Sequence, residues 1–149
     1  MKKLISLILL CAILSGCGIL GNSCIPKGYS SAEEHFDSNG FQDYTDYCKY
    51  IYPENSAERF AAKGYSEVNE ADVENLAGYF ENFSGWMEVE NRSGEFDFDA
   101  SCITEGDYCI IDSKEGTPIG ESEYGKYDDY TVYFFDTESD TLYYIHTNI

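Results

Sequence analysis

The sequence predicts an α+β fold, in which one main amphipathic helix packs on an antiparallel meander of about five strands. Apolar residues recur at helical spacing between Glu70 and Ser84. After Gly85 the apolar period changes to two, which is typical of strands that bury one face. A chain of this length can bury about two-thirds of its unfolded surface. We therefore expect a single two-layer domain, with short helices before the main one.

The first part of the body is predicted to be helical. Ser31 to Glu34 matches a capping box and indicates a brief helix from Ala32 to about Ser38. The aromatic run that follows is ambiguous, and a helix from Tyr44 to Tyr52 is favoured. Ser56 can cap a further helix, Ala57 to Lys63, which Gly64 closes in the left-handed conformation.

The main helix is predicted to run from Glu70 to Ser84. Asn69 is its N-cap, Asp72 completes the capping pattern, and Gly85 is expected to end it. Its apolar stripe consists of Val73, Leu76, Ala77, Phe80 and Phe83. We interpret this stripe as core packing rather than as a ligand site.

The second half of the chain is predicted to be a meander of strands. The segments with alternating or apolar character are WMEVE, EFDFDASC, DYCIID, TVYFFD and TLYYIHTN. A turn at NRSG joins the first two, and residues 137–140 form a hairpin between the last two. The alternation places some of Tyr130, Tyr133, Tyr143 and Tyr144 on each face of the sheet, and only one face has the main helix to cover it. An aromatic patch on the other face, rimmed by acids, would mark an interaction surface.

One long irregular segment, Ser113 to Asp129, separates two of these strands. Connections of this length are uncommon in small domains and are often functional. With its aromatic side chains, the segment is a candidate recognition element, and Tyr124, Tyr127 and Tyr130 are the residues predicted to make contact. The alternatives are a plain connection or an edge strand near 123–127.

The N-terminus has the layout of an export signal. Two lysines precede the uncharged apolar run Leu4–Leu14, which is about half as long as a membrane-spanning helix. The residues Leu14-Ser15-Gly16-Cys17 resemble the lipobox of bacterial lipoproteins. This resemblance implies a diacylglyceryl group on the Cys17 sulfur and cleavage before Cys17. The alternative is an uncleaved anchor over Leu4–Leu20, and either arrangement places the body outside the cytoplasm.

The resemblance divides the chain into a signal peptide (1–16), a lipidated tether (17–28) and a single α+β domain (29–149). Removal of the two signal lysines changes the formal net charge from −19 to −21. Such an acidic surface makes nucleic acid an unexpected partner. It also repels anionic lipid, so the lipid rather than the protein surface is expected to make the membrane contact.

Four cysteines remain after Cys11 leaves with the signal and Cys17 becomes the lipid site. In an oxidising compartment an even number suggests two disulfides. A two-residue turn at Glu105-Gly106 would make Cys102 face Cys109 across a hairpin, which leaves Cys24 to pair with Cys48. Reduced thiols and a zinc site are the alternatives, although no pair has the C-x2-C spacing.

The sequence contains no recognisable catalytic constellation. Its two histidines, His35 and His146, lie in no hydrolase motif, and with 28 acids the presence of carboxylate pairs decides nothing. Acids alternate at positions 136, 138 and 140, but the glycine and the glutamate of a calcium loop are missing. No catalytic residue, metal ligand or cofactor is therefore predicted.

These observations favour a lipid-anchored, non-enzymatic binding protein of the cell envelope, with an unknown protein or glycan as its partner. The alternatives are an envelope enzyme that acts on glycan or cell wall through acidic residues, an anchored sugar-binding module, and a protein inhibitor.

Overall fold

The computed structural model describes residues 24–37 and 44–148. The helices are α1 (Ala57–Ala62) and α2 (Glu70–Val89), and single 3-10 turns occupy Ser93–Glu95 and Ala100–Cys102. The strands are β1 (Ser31–His35), β2 (Tyr44–Ile51), β3 (Ser66–Glu67), β4 (Tyr108–Ser113), β5 (Pro118–Ile119), β6 (Ser122–Glu123), β7 (Asp129–Asp136) and β8 (Thr141–Asn148). The fold is mixed helix and antiparallel sheet, as the sequence predicts.

Six strands form one antiparallel sheet in the order β1-β2-β8-β7-β4-β3, and β5 and β6 form a separate small hairpin. The register follows from the strand pairing: Cys48 lies opposite Tyr144, which lies opposite Tyr133, which in turn lies opposite Ile110. Since paired residues point to the same side of a sheet, these four side chains share one face. We call this face, which α2 does not cover, the second face, and the opposite one the helix face.

The larger core lies between the helix face and α2. Leu76, Phe80, Phe83 and Met87 of α2 are all at most 1% exposed, and they pack with strand residues such as Phe134. The segment after α2 closes this layer, because Phe98 stacks on Phe80 with ring centroids 3.8 Å apart. The helix stripe is therefore core packing, as predicted.

A smaller core lies on the second face beneath α1 and the N-terminal residues 24–30. Phe60 of α1 is fully buried and stacks on Phe135 of β7, with ring centroids 3.7 Å apart. The other buried members of this cluster are Cys48, Tyr50, Tyr52, Tyr65, Tyr133 and Leu142. Because α1 has only six residues, it covers one end of the second face and leaves the other end open.

The two predicted helices at 32–38 and 44–52 are wrong. Residues 31–35 form the edge strand β1, and residues 44–51 form β2, which pairs with β8 along its whole length. Side chains from both faces of β2 are buried, among them Tyr47 and Cys48. A strand covered on both sides loses the simple alternation that identifies strands in a sequence.

The main helix is longer than predicted, so the strands expected at WMEVE and EFDFDASC are wrong. Gly85 does not end α2, which continues to Val89 and buries Met87 in the core. Two residues after Val89, Asn91 adopts the left-handed conformation (φ 58°) and turns the chain away from the helix. The amides of Asn91 and Arg92 donate to the carbonyls of Glu88 and Met87. This is a Schellman end with asparagine in the left-handed position.

Several local predictions are confirmed. Asn69 caps α2, and the reciprocal capping box with Asp72 is present. A short helix follows Ser56, Gly64 has a φ of 89°, and β4, β7 and β8 lie where the sequence predicts strands. The signal residues 1–16 and tether residues 17–23 lie outside the described residues. In the described part of the chain, no helix has the length and apolar character needed to cross a bilayer.

Candidate functional site

The open end of the second face contains a groove. It is lined by Cys24, Ile110, Asp112, Thr131, Tyr133, Tyr144 and His146 and has a volume of about 330 Å³. Four different segments contribute these residues: the N-terminal segment, β4, β7 and β8. We call this cavity the second-face groove.

The floor of the groove is aromatic and aliphatic. Tyr133 and Tyr144 lie opposite each other on β7 and β8, with ring centroids 5.1 Å apart and planes inclined by 48°. Ile110 follows on β4. Burial raises the pKa of both phenols, so their hydroxyls stay protonated at neutral pH. Tyr133 is only 4% exposed, so it supports the floor from below, and the partly exposed Tyr144 and Ile110 form its accessible surface. This surface can pack against an apolar or aromatic group, and the Tyr144 ring can hold a cation over its face.

A line of polar side chains borders this floor on the side away from α1. Asp46, His146, Thr131 and Asp112 lie side by side across β2, β8, β7 and β4. The Tyr44 hydroxyl is 3.2 Å from Nε2 of His146, and Nδ1 of His146 is 3.8 Å from a carboxylate oxygen of Asp46. With Tyr44 donating, the ring proton of His146 lies on Nδ1, the nitrogen that faces Asp46.

Beyond this line, the buried Asp129 is held by two donors. Asn148 donates to its carboxylate at 3.0 Å, and Lys114 forms an ion pair with the same oxygen. Desolvation, with help from the Asp129 charge, raises the pKa of the nearby Tyr44. At this far end of the second face, Lys114 neutralises the charge of Asp129. Asp112 and Asp46 lie closer to the groove than this ion pair does.

The N-terminal segment forms the opposite wall. Tyr65 donates its hydroxyl to the carbonyl of Cys24 at 3.1 Å, and Tyr52 donates to the carbonyl of Pro26 at 2.6 Å. These buried phenols fix the backbone of the segment against the sheet, so Cys24 reaches the edge of the groove.

The four cysteines of the body are unbridged in the structure. The predicted hairpin that pairs Cys102 with Cys109 is wrong: Cys102 ends a 3-10 turn, and Cys109 lies opposite Phe134 and Ser66. Cys24 and Cys48 do belong to one cluster on the second face. Burial raises the pKa of the Cys48 and Cys102 thiols to about 12 and that of Cys109 to about 11. The Cys24–Cys48 disulfide stays a prediction.

The three predicted recognition tyrosines have different positions. Tyr130 is 1% exposed and donates to the carbonyl of Tyr79, so it is a core residue of the helix face and its predicted recognition role is not supported. Tyr127 packs edge-on against Tyr79 with centroids 5.2 Å apart. Tyr124 is partly exposed, with the Lys114 ammonium 5.7 Å from its ring centre. The segment 113–129 contains the β5–β6 hairpin, and its residues Lys126 and Tyr127 contact Tyr79 of α2, on the helix face and not in the groove.

The acidic clusters have structural partners. Asp136 caps the β7–β8 turn by accepting from the amides of Glu138 and Ser139, so the alternating acids there form a turn. Asp107 is buried and accepts from the amide and hydroxyl groups of Thr104 and Thr137. Within residues 24–37 and 44–148, no group of three or more potential ligands is arranged to hold a metal ion.

The sequence predicts strands for Tyr133 and Tyr144 but places Cys24, which lines the groove, in the tether. It also predicts a helix for Tyr44 and Asp46, which lie next to the groove residue His146. The available signal was the polar-apolar pattern Tyr44-Thr45-Asp46-Tyr47, which is compatible with a strand once both of its faces are covered. Placing Cys24 required the two phenol contacts, which link residues far apart in the sequence.

Comparisons of the chain with protein-family models, with curated proteins and with solved structures find no match.

Proposed function

We propose that this chain is a lipid-anchored, extracytoplasmic binding protein of the cell envelope and that it binds a protein or glycan partner through the second-face groove. The observation that carries the proposal is the groove itself. It combines an aromatic floor, the Asp112 carboxylate at its border and an open end, on a sheet whose other face is covered by α2 and the segment that follows it. Concave sites of this composition are the usual places for ligand contact.

The environment of the groove favours binding over catalysis. Both ring nitrogens of His146 face protein groups, Tyr44 and Asp46, so neither is directed towards a substrate proton. Burial raises the pKa values of the floor phenols above their ordinary value, which already exceeds neutral pH, so neither supplies a phenolate nucleophile. Covalent catalysis requires a nucleophile beside a free base, and this arrangement does not supply that pair.

The lipid anchor is tested by labelling with a fatty acid in the expressing cell. The proposal expects label on the wild-type protein and none on Cys17→Ala, which should keep its leader. Cys24→Ala serves as the control because it removes a cysteine outside the lipobox. Equal processing of Cys17→Ala and the wild type would contradict the anchor.

The binding site is tested by photo-crosslinking in cells. A photoreactive amino acid at Thr131, inside the groove, should form a discrete adduct. The same amino acid at Glu88, exposed on α2, should not. Equal adducts from both positions, or none from Thr131, would count against the groove as the binding site.

A glycan is the alternative partner, since a partly exposed aromatic ring such as that of Tyr144 can stack on a sugar. Addition of cell-wall glycan fragments should then shift the ring resonances of Tyr133 and Tyr144 in the NMR spectrum. The buried ring of Tyr130, on the other face of the sheet, is the internal control.

A further inference from the structure

One edge of the sheet is open beside the groove. β3 has only two residues and pairs with Tyr108 and Cys109 alone. Ile110 to Ser113 of β4 have β7 on one side and, among the described residues, no strand on the other. An unpaired edge of this kind accepts an added strand.

The backbone groups at this edge point outwards. The amide of Lys114, the residue after β4, donates to the carbonyl of Asp129 on β7. Residue 114 therefore directs its backbone groups towards β7. In an antiparallel pair, alternate residues bond to opposite neighbours. Residues 110 and 112 therefore bond to β7, whereas the amide and carbonyl groups of Ile111 and Ser113 face the open side.

The side chains at the same edge lead into the groove. Ile110 and Asp112 point to the second face and line the cavity. A strand added along Ile111 and Ser113 would place every second side chain beside Ile110 and Asp112, at the border of the groove. Tyr133 lies one strand beyond Ile110 and Tyr144 two strands beyond it, so a long side chain is needed to extend over the floor. The edge would supply backbone hydrogen bonds, and the groove would hold alternate side chains.

The charge of this surface selects the partner. Asp112 lines the groove, and Asp46 lies next to the groove residue His146. Lys114, the lysine that follows β4, is already paired with Asp129. Aromatic rings beside carboxylates favour a cation with an apolar stem, such as a lysine or arginine side chain. A second copy of this chain, with a net charge of −19, would bring like charges together.

We propose that an extended, basic segment of a partner protein adds as a strand to the edge of β4 at Ile111 and Ser113 and inserts its cationic side chains into the second-face groove. This inference rests on the proposed function and specifies the class of partner.

The probe is a short fluorescent peptide of alternating lysine and valine, titrated against the full processed protein at physiological salt. Binding is expected, with at least about a tenfold loss when the peptide backbone is N-methylated and no binding when glutamate replaces lysine. The first change removes the strand hydrogen bonds, and the second reverses the charge.

Two pairs of variants locate the site on the protein. Ser113→Pro removes an edge amide and should weaken binding, whereas Ser113→Ala, which loses the same hydroxyl contacts, should retain it. Asp112→Asn should weaken binding several-fold, and Glu88→Gln on the outer surface of α2 should not. Asp112→Asn keeps the test decisive if Ser113→Pro unfolds the protein.

Three outcomes would overturn the inference: no binding of the lysine peptide, binding that is indifferent to N-methylation and to Asp112→Asn, or concentration-dependent dimers that Ser113→Pro abolishes. The first two leave the proposed function intact if Thr131 still forms its crosslink in cells. The third would assign the edge to a second copy of the chain.

Discussion

Gly78, inside α2, makes room for a tyrosine of the long connection. A Cβ added at Gly78 would lie 2.7 Å from the Tyr127 hydroxyl oxygen, whereas one added at Gly85 would meet nothing within 4 Å. Both positions lie in the same helix, and neither has a positive φ. Alanine substitution at both positions therefore separates two effects: the gain from the helix propensity of alanine, which is shared, and the cost of the contact with Tyr127, which arises only at Gly78.

Gly85→Ala should raise the free energy of unfolding by about 0.5–1 kcal/mol, because alanine loses less conformational freedom in a helix than glycine. Gly78→Ala should lose this gain or reverse it, since Tyr127 must move. Urea unfolding of both variants measures the difference. An equal gain at the two positions would show that Tyr127 yields without cost.

Asp97 links the segment after α2 to β2. Its carboxylate accepts from the Tyr47 hydroxyl at 2.6 Å and forms an ion pair with Lys49. Partial burial alone would raise the pKa of Asp97, but the hydrogen bonds from Lys49 and Tyr47 outweigh it and hold the pKa below its ordinary value. The same contacts keep Tyr47 protonated, since burial and the Asp97 charge raise its pKa.

This lowered pKa gives the stability contribution of Asp97 a defined pH range. The contribution is complete above the unfolded pKa of about 3.9 and is lost as the pH falls through the lower folded value. Asp97→Asn should therefore be less stable than the wild type near about pH 6, and the difference should shrink by about pH 3. Urea unfolding across this range tests it, and a constant difference would contradict the assignment.

At the scale of elements, the end of α2 shows what sequence reasoning can and cannot supply. Its beginning was predictable because Asn69 and Asp72 form a local cap. Its end was not predictable from Gly85. The helix continues past this glycine because continuation buries Met87 in the core, which stabilises the helix more than the glycine destabilises it. The residue that ends the helix is Asn91, which adopts the left-handed conformation expected of Gly85.

Arg92 anchors this helix end to the sheet. Its guanidinium donates to the carbonyl and hydroxyl oxygens of Thr45 on β2 and pairs with Glu90 and Glu95. The side chain is only 16% exposed, so its loss would leave partly buried acceptors without a donor.

Arg92→Ala is expected to lower the free energy of unfolding by about 2 kcal/mol. Arg92→Lys should recover only part of this loss, because an ammonium cannot reproduce the planar fork of donors. Thermal or urea unfolding compares the three proteins. Full recovery by lysine would indicate that charge alone matters.

At the scale of the whole molecule, the combination of one main helix with an antiparallel sheet was predictable, because α2 has a helical apolar period and β4, β7 and β8 have strand-like patterns. The point where helix gives way to sheet was not predictable, since the expected change after Gly85 is absent. The candidate site was not predictable, because it depends on Cys24 of the N-terminal segment meeting β4, β7 and β8, which lie far away in the sequence. The aromatic residues of both layers were recognised, but their assignment to faces required the register.

The net charge of −19 should make stability depend on salt. Raising the ionic strength from about 10 mM to about 200 mM screens repulsion between exposed carboxylates, so the free energy of unfolding should increase. Urea unfolding with sodium chloride measures this effect. A decrease would mean that the ion pairs of Lys49, Arg92 and Lys114 outweigh the general repulsion.

The position of Cys24 beside the groove also limits how far the groove can lie from the bilayer. Six residues lie between Cys17 and Cys24, and a fully extended chain over this interval spans at most about 25 Å. With a lipid on Cys17, a bound partner would be confined within a few nanometres of the headgroups. The protein would then act at short range, on partners that themselves reside at or pass close to the same membrane.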